Sequence, residues 1–269
     1  MRISNAARVN RVGLSSAPIG RTAVLALMMV AVTACQGATT RTPSPTAQDY
    51  RYTKTEDAEL LGGSGRYSVL VPETREVWIA TDGSGRIRTV KRGAVYFGAN
   101  DRAQWQGQET SKTEDQSYGP GKLSYKDLSR TPTDPSALKA AIIASMTTSA
   151  GGQPSIPFEV WLAARDYLWE TVAPLKLSQG ILEMLKTTSG VTVDAGQNDR
   201  TGRPAVACSV LAPGGTIRNV LLLEPETGAL LGEQQILVKP ATGIDAAPPV
   251  TIKYATYLES RIVPTTSGA

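Results

Sequence analysis

Ser136 and Lys139 stand three residues apart in Ser136-Ala137-Leu138-Lys139. At that spacing a lysine one helical turn away could take the proton of a serine nucleophile, as in serine acyl-transferases. The K-T-G element that accompanies such a pair is missing from the chain, so Ser136 reads as a residue that helps start a helix. Glu224 and Glu226 could form the carboxylate pair of a glycoside hydrolase. Pro225 and Gly228 instead make that stretch a β-turn, where acids are solvated. Asp166 and Glu170, one helical turn apart beside Arg165, read as a surface charge pattern. Gly62-Gly63-Ser64-Gly65 is followed by a strand-like run and by no Lys-Ser/Thr, which excludes a phosphate loop. The chain contains no histidine. That removes histidine-activated nucleophiles, histidine-ligated zinc and most acid–base schemes near neutral pH. Cysteine occurs only at positions 35 and 208, which excludes thiolate metal clusters. No cofactor is expected, and these residues support a non-enzymatic protein.

The aromatic concentration lies at Phe158, Trp161 and Trp169, in a chain with 6% aromatic residues. Their helical spacing fits ordinary packing onto a sheet. The functional alternative is that part of the stripe lines a cavity for an acyl chain or another apolar ligand. Cys208 lies in the strand-like run Ala205–Leu211 and reads as a small buried hydrophobe.

The residues around Cys35 say where these side chains act. Arg2, Arg8, Arg11 and Arg21 precede or flank the apolar stretch Ala23–Val32, and Val32-Thr33-Ala34-Cys35 closes it. The stretch is about a dozen residues long, short of the roughly 20 that span a bilayer as a helix. This order of basic, apolar, small residue and cysteine resembles a bacterial lipoprotein signal peptide. The resemblance implies cleavage after Ala34 and a lipid on Cys35, hence a membrane partner and a place at the extracytoplasmic face of the cell membrane. A lipidated Cys35 leaves Cys208 without a disulfide partner in its own chain. Cleavage also changes the charge. The whole chain carries 28 basic and 24 acidic residues, and no acid precedes Asp49. Without residues 1–34 and their four arginines, 24 of each sign remain. The net positive charge therefore belongs to the targeting segment and gives no argument for nucleic-acid binding.

Residues 35–48 form a Thr/Pro/Ser-rich tether of at most roughly 45 Å, and residues 49–269 form one domain. Strands are expected at 50–55 and 66–71, and a hairpin joins 76–81 to 86–90 across Asp82-Gly83-Ser84-Gly85. Residues 99–130 read as a long loop. Three helices follow: one capped by Thr133 or Asp134, one from Pro157, and one over Leu177–Thr187. The last third returns to strands at 191–194, 204–211, 216–224, 229–239 and 250–262. In the final strand, Val250, Ile252, Tyr254, Thr256, Leu258 and Ile262 form a buried face. Thr251, Lys253, Tyr257, Glu259 and Arg261 form a wet one. Hairpin-linked strands imply an antiparallel sheet, and the helices grouped mid-chain imply an α+β fold with about three helices.

Several stretches in this order carry a resemblance. They are Glu76-Val77-Trp78 leading into Asp82-Gly83-Ser84-Gly85-Arg86, Pro132-Thr133-Asp134-Pro135, Asp199-Arg200-Thr201-Gly202-Arg203, and Glu224-Pro225-Glu226-Thr227-Gly228-Ala229-Leu230-Leu231-Gly232. Together they resemble an uncharacterised actinobacterial family of membrane-anchored envelope proteins over most of residues 50–262. The element order also resembles the unclosed β-barrel of periplasmic lipoprotein carriers and sigma-factor regulators. That resemblance implies a curved antiparallel sheet, unclosed and β-barrel-like, with about three helices packed against it and room for an apolar cavity, and it supplies no catalytic residue. The functions it implies are binding of an apolar envelope ligand, sensing of envelope state, or recognition of another envelope protein.

Overall fold

The computed structural model describes residues 49–266 except 63–67, 99–100, 106–111, 147–154, 170–171, 243 and 245. The lipobox, Cys35 and the tether lie outside the described residues, as do Gly63-Ser64-Gly65 and Glu170. All the described elements belong to one compact unit. In chain order the described elements are β1 (Tyr50–Gly62), β2 (Ser68–Ala80), β3 (Gly85–Lys91), β4 (Val95–Tyr96), α1 (Asp101–Trp105) and β5 (Thr113–Tyr118). Then come α2 (Pro135–Met146), α3 (Ile156–Trp169), α4 (Leu175–Lys186), β6 (Thr192–Asn198), β7 (Pro204–Leu211), β8 (Ile217–Leu223), β9 (Leu230–Leu237) and β10 (Val250–Val263).

All strands join one ten-stranded antiparallel sheet in the order β5-β3-β2-β1-β10-β9-β8-β7-β6, with β4 on β2. Two meanders, one on each side of the helices in sequence, are stitched together by β1 pairing with β10. The sheet does not close, and the fold is α+β as expected, with four helices among the described residues.

Three local expectations need correction. The segments 66–71 and 76–81 are parts of one strand, β2, which runs through Pro72. Pro72 is tolerated there because its missing N–H faces the gap between β3 and β4, while its carbonyl accepts from Arg92 N (2.8 Å). The presumed loop 99–130 contains α1 and β5. β5 has no apolar face to advertise it; it adds to β3 through the ladder and the Arg86–Asp115 ion pair. In β10 the alternation breaks at a bulge between Lys54/Thr55 on the β1 side, where Leu258 is left without a partner. Beyond it the phase flips, so Ile262 is 53% exposed and Val263 is buried; Tyr257, read as wet, lies before the bulge and is 5% exposed because its face is covered.

The core sits between the helices and the β7–β8 part of the sheet. Asp134 caps α2 by accepting from Ala137 N (2.8 Å). Leu138 and Ile142 of α2, Val160, Trp161, Ala164 and Leu168 of α3, and Leu177, Ile181 and Leu185 of α4 meet Val206, Cys208, Leu221 and Leu223. Gly180 permits a close approach of α4 to the chain entering α2, since a Cβ there would run into Thr133 O. The β8–β9 turn docks on α4 in the same manner. Gly228 has φ +68° with its missing Cβ facing Ser178 O, and Ser178 Oγ donates to Thr227 O (2.7 Å).

Candidate functional site

Side chains of directly paired strand residues share a face, so the register traces one row across seven strands. Cys208 pairs with Leu221, Leu221 with Glu233, Glu233 with Ala255, Ala255 with Asp57, Asp57 with Glu73 and Glu73 with Lys91. The row begins apolar beneath the helices and ends charged on β1, β2 and β3. The helices cover its first part only. Over the remainder lie two adjoining cavities of about 190 and 390 Å³ that share Asp57, Arg75 and Trp169.

The smaller cavity runs along Arg51, Thr53, Thr55 and Asp57 of β1, the alternate residues of one strand face. Val77 and Ile79 of β2, with Ile87 of β3, make its apolar wall. Leu123 and Ser124 form a rim. Leu123 N donates to Gly83 O (2.8 Å) in the β2–β3 turn. Arg51 lies over the Tyr125 ring at 4.0 Å and donates from Nη1 to Lys126 O (3.1 Å). Lys126 in turn sits 4.3 Å from the Tyr167 ring of α3. The rim is thus tied to sheet and helix at once.

Trp169, at the C-terminal end of α3, is held by a chain of contacts. Arg165 lies 4.4 Å from its ring and donates from Nη2 to Glu233 Oε1 (3.2 Å) and from Nε to Glu233 Oε2. This two-pronged pair has side chains only 18% and 8% exposed, a setting in which removing one partner strands the other.

Two polar atoms beneath Trp169 have no hydrogen-bond partner among the described residues: Asp57 Oδ1 and Tyr257 Oη. Asp57 is half-buried as a residue, yet Oδ1 is closed to solvent. Burial pushes its carboxyl up to about 6, against the opposing pull of Thr55 and Arg75. Burial likewise raises the Tyr257 phenol, and the nearby Glu233 carboxylate adds to the effect.

Of the three aromatic residues singled out in the sequence, Trp169 lines both cavities. Trp161 is a core residue, 3% exposed, whose Nε1 donates to Cys208 O (2.9 Å), and Phe158 packs against the same core. Neither lines these cavities. The lining is mixed rather than apolar throughout. The polar members Asp57, Arg75 and Tyr257 were missed because strand alternation alone does not tell a polar interior face from a solvated one. One face of β1 carries Tyr50, Tyr52, Ala58 and Leu60 and the other Arg51, Thr53, Thr55, Asp57 and Glu59, a pattern that reads as one buried and one solvated face.

The motifs with chemical spacing fall elsewhere. Ser136 is exposed on α2, and no hydrogen bond joins it to Lys139. Glu224 Oε2 accepts from Glu226 N (3.1 Å) and from Thr227 N and Oγ1, so it organises the β8–β9 turn; the Thr227 contacts hold it below the usual carboxylate range. Asp166 sits exposed beside Arg165. Cys208 is fully buried, and burial pushes its thiol up to about 11. Among the described residues no group of three acids or cysteines is placed to hold a metal. No described helix is long and apolar enough to cross a membrane.

No family model and no curated protein matches the sequence. One solved structure matches in part: the complex structure of Pseudomonas aeruginosa MucA/MucB. Sequence identity is 13%, the match covers 80% of this chain and 52% of that chain, and the TM-score is 0.28. The chain thus spans about half the length of the one it matches. A TM-score of 0.28 transfers no residue and no partner to this chain.

Proposed function

We propose that this chain is a lipid-anchored protein of the cell envelope that holds or senses an amphipathic ligand without acting on it chemically. The observation that carries this reading is the partial roof. Three helices pack on the β7–β8 half of the sheet, and the same face from β10 to β3 is left with two cavities under Trp169. Ligand sites of soluble proteins are concave, mostly apolar and fitted with a few placed polar groups, a description the smaller cavity meets. The anchor rests on the lipobox-like Val32–Cys35 and not on the folded unit. Two acyl chains on a cysteine would anchor stably where one would not.

Native mass spectrometry of the full chain in mild detergent, followed by lipid extraction, tests the binding. Retained mass that extracts as an amphipathic molecule supports it. A bare protein that takes up no amphiphile on addition removes it. A second reading is recognition of another envelope protein, favoured by edge strand β6, which is exposed along its whole length and pairs only with β7. Crosslinking in cells from Val193 separates the two, since a ligand carrier needs no protein at that edge.

A further inference from the structure

We infer that the smaller cavity selects an amphipathic anion, with an oxyanion head between Arg75 and Tyr257 and a hydrocarbon part along Val77 and Ile79. This rests on the ligand-binding reading above and adds the charge of the ligand. Arg75 lines both cavities, and its guanidinium makes no hydrogen bond or ion pair among the described residues. The other arginine of the smaller cavity, Arg51, is engaged with Tyr125 and Lys126. Tyr257 is 5% exposed, lines the same cavity, and has a hydroxyl with no partner. A buried hydroxyl left unpaired costs about 1–3 kcal/mol, which a ligand oxygen accepting from it would recover.

The electrostatics point the same way. Asp57 is faced by Arg75 and Glu73 from β2, by Glu233 from β9 and by Tyr257 from β10. Glu233 is neutralised by Arg165 of α3, and Lys253 by Glu59 (3.3 Å). Asp57 is the single acid lining the smaller cavity; burial raises its carboxyl to about 6, so it holds its proton below that pH and carries its charge above it. Arg75 and the Tyr257 hydroxyl make a donor end beside an apolar wall, and its preference for an anion is greatest below about pH 6, where Asp57 is neutral. Size is sufficient, since about 190 Å³ exceeds the ~150 Å³ apolar cavity known to take benzene.

The test is calorimetric titration of the full chain with octanoate, octyl phosphate, 1-octanol and octylamine. At least one of the two anions should bind tenfold or more tightly than octanol, and their comparison tells a carboxylate head from a phosphate head. Arg75→Met should erase the preference while leaving octanol binding intact, and Arg75→Lys should restore part of it. Those two variants also report on folding, because a collapsed site would lose octanol too. Anions binding no better than octanol or octylamine, or a preference that survives Arg75→Met, would overturn the inference and leave the ligand-binding reading standing. Failure of all four to bind would overturn both.

Discussion

Arg165 of α3 and Glu233 of β9 are joined by two parallel hydrogen bonds across the interior, and the same guanidinium carries the ring of Trp169. The pair marks the line where the helix-covered core ends and the open cavities begin. Both side chains are mostly withdrawn from water, so each depends on the other for its charge. Arg165→Met should therefore cost about 3 kcal/mol, as expected for breaking a buried pair from one side. It should also red-shift the tryptophan emission as Trp169 loosens. Urea unfolding followed by fluorescence reads both, and a variant with parental stability and spectrum would show that Trp169 is held by packing alone.

Asp57 predicts a pH dependence with a definite sign. Its carboxyl sits at about 6 when folded against 3.8 when free. Below pH 3.8 both states hold the proton and the group has no effect. Between 3.8 and about 6 the folded state keeps a proton that the unfolded chain has released, so stability falls as pH rises. Above 6 the buried charge burdens the folded state by up to about 3 kcal/mol. Asp57→Asn should be the more stable protein at pH 8 by ~2 kcal/mol, with the advantage shrinking toward pH 4. Denaturant midpoints across that range check it, and an advantage independent of pH would reject the assigned shift.

Asp199 predicts the opposite slope. Its side chain is fully buried and accepts from Thr201 N (2.9 Å), Arg203 N (2.9 Å) and Arg203 Nε (2.6 Å). Burial alone would raise its carboxyl, but these hydrogen bonds outweigh it and hold the group below its ordinary value. Its stabilisation is present above the unfolded value and is lost as pH falls through the folded one. Arg203 also donates to Tyr257 O (2.7 Å), linking the β6–β7 turn to β10. Asp199→Ala should cost about 2–4 kcal/mol at pH 7, and less at pH 3, in thermal or urea unfolding.

Cys208 should be inert. Its thiol is pushed up to about 11 by burial, and Lys186 opposes this only in part. A thiol reagent added to the folded chain at pH 8 should react with Cys208 only at the rate of unfolding, and at once in denaturant. Fast labelling of Cys208 under native conditions would mean that the α3–β7 packing opens readily.

Much of the fold was legible because turn chemistry and periodicity are local. The Asp82–Gly85 hairpin, the Asp134 cap, the three long helices and the five late strands follow from residue types at short range. What was not legible depends on partners distant in sequence. β5 is a strand because β3 offers an edge and Arg86 faces Asp115. Tyr257 is buried because its face of β10 meets the cavity under Trp169 rather than water. The cavity residues share that difficulty: Asp57, Arg75 and Tyr257 come from three strands, and only the register brings them onto one face. Trp169 was visible as part of an aromatic stripe, but only the helix's position on the sheet separates it from Trp161, which is core.

The most direct measurement of the central claim is photolabelling of the full chain with a diazirine-bearing alkyl probe, with and without excess octanoate, followed by peptide mapping. The account predicts octanoate-sensitive labelling at Trp169 and on β1 and β2 near residues 51–57 and 75–79, the lining of the shared cavities. Octanoate-sensitive labelling confined to the other face of the sheet, around Tyr52, Trp78 and Val263, would contradict it.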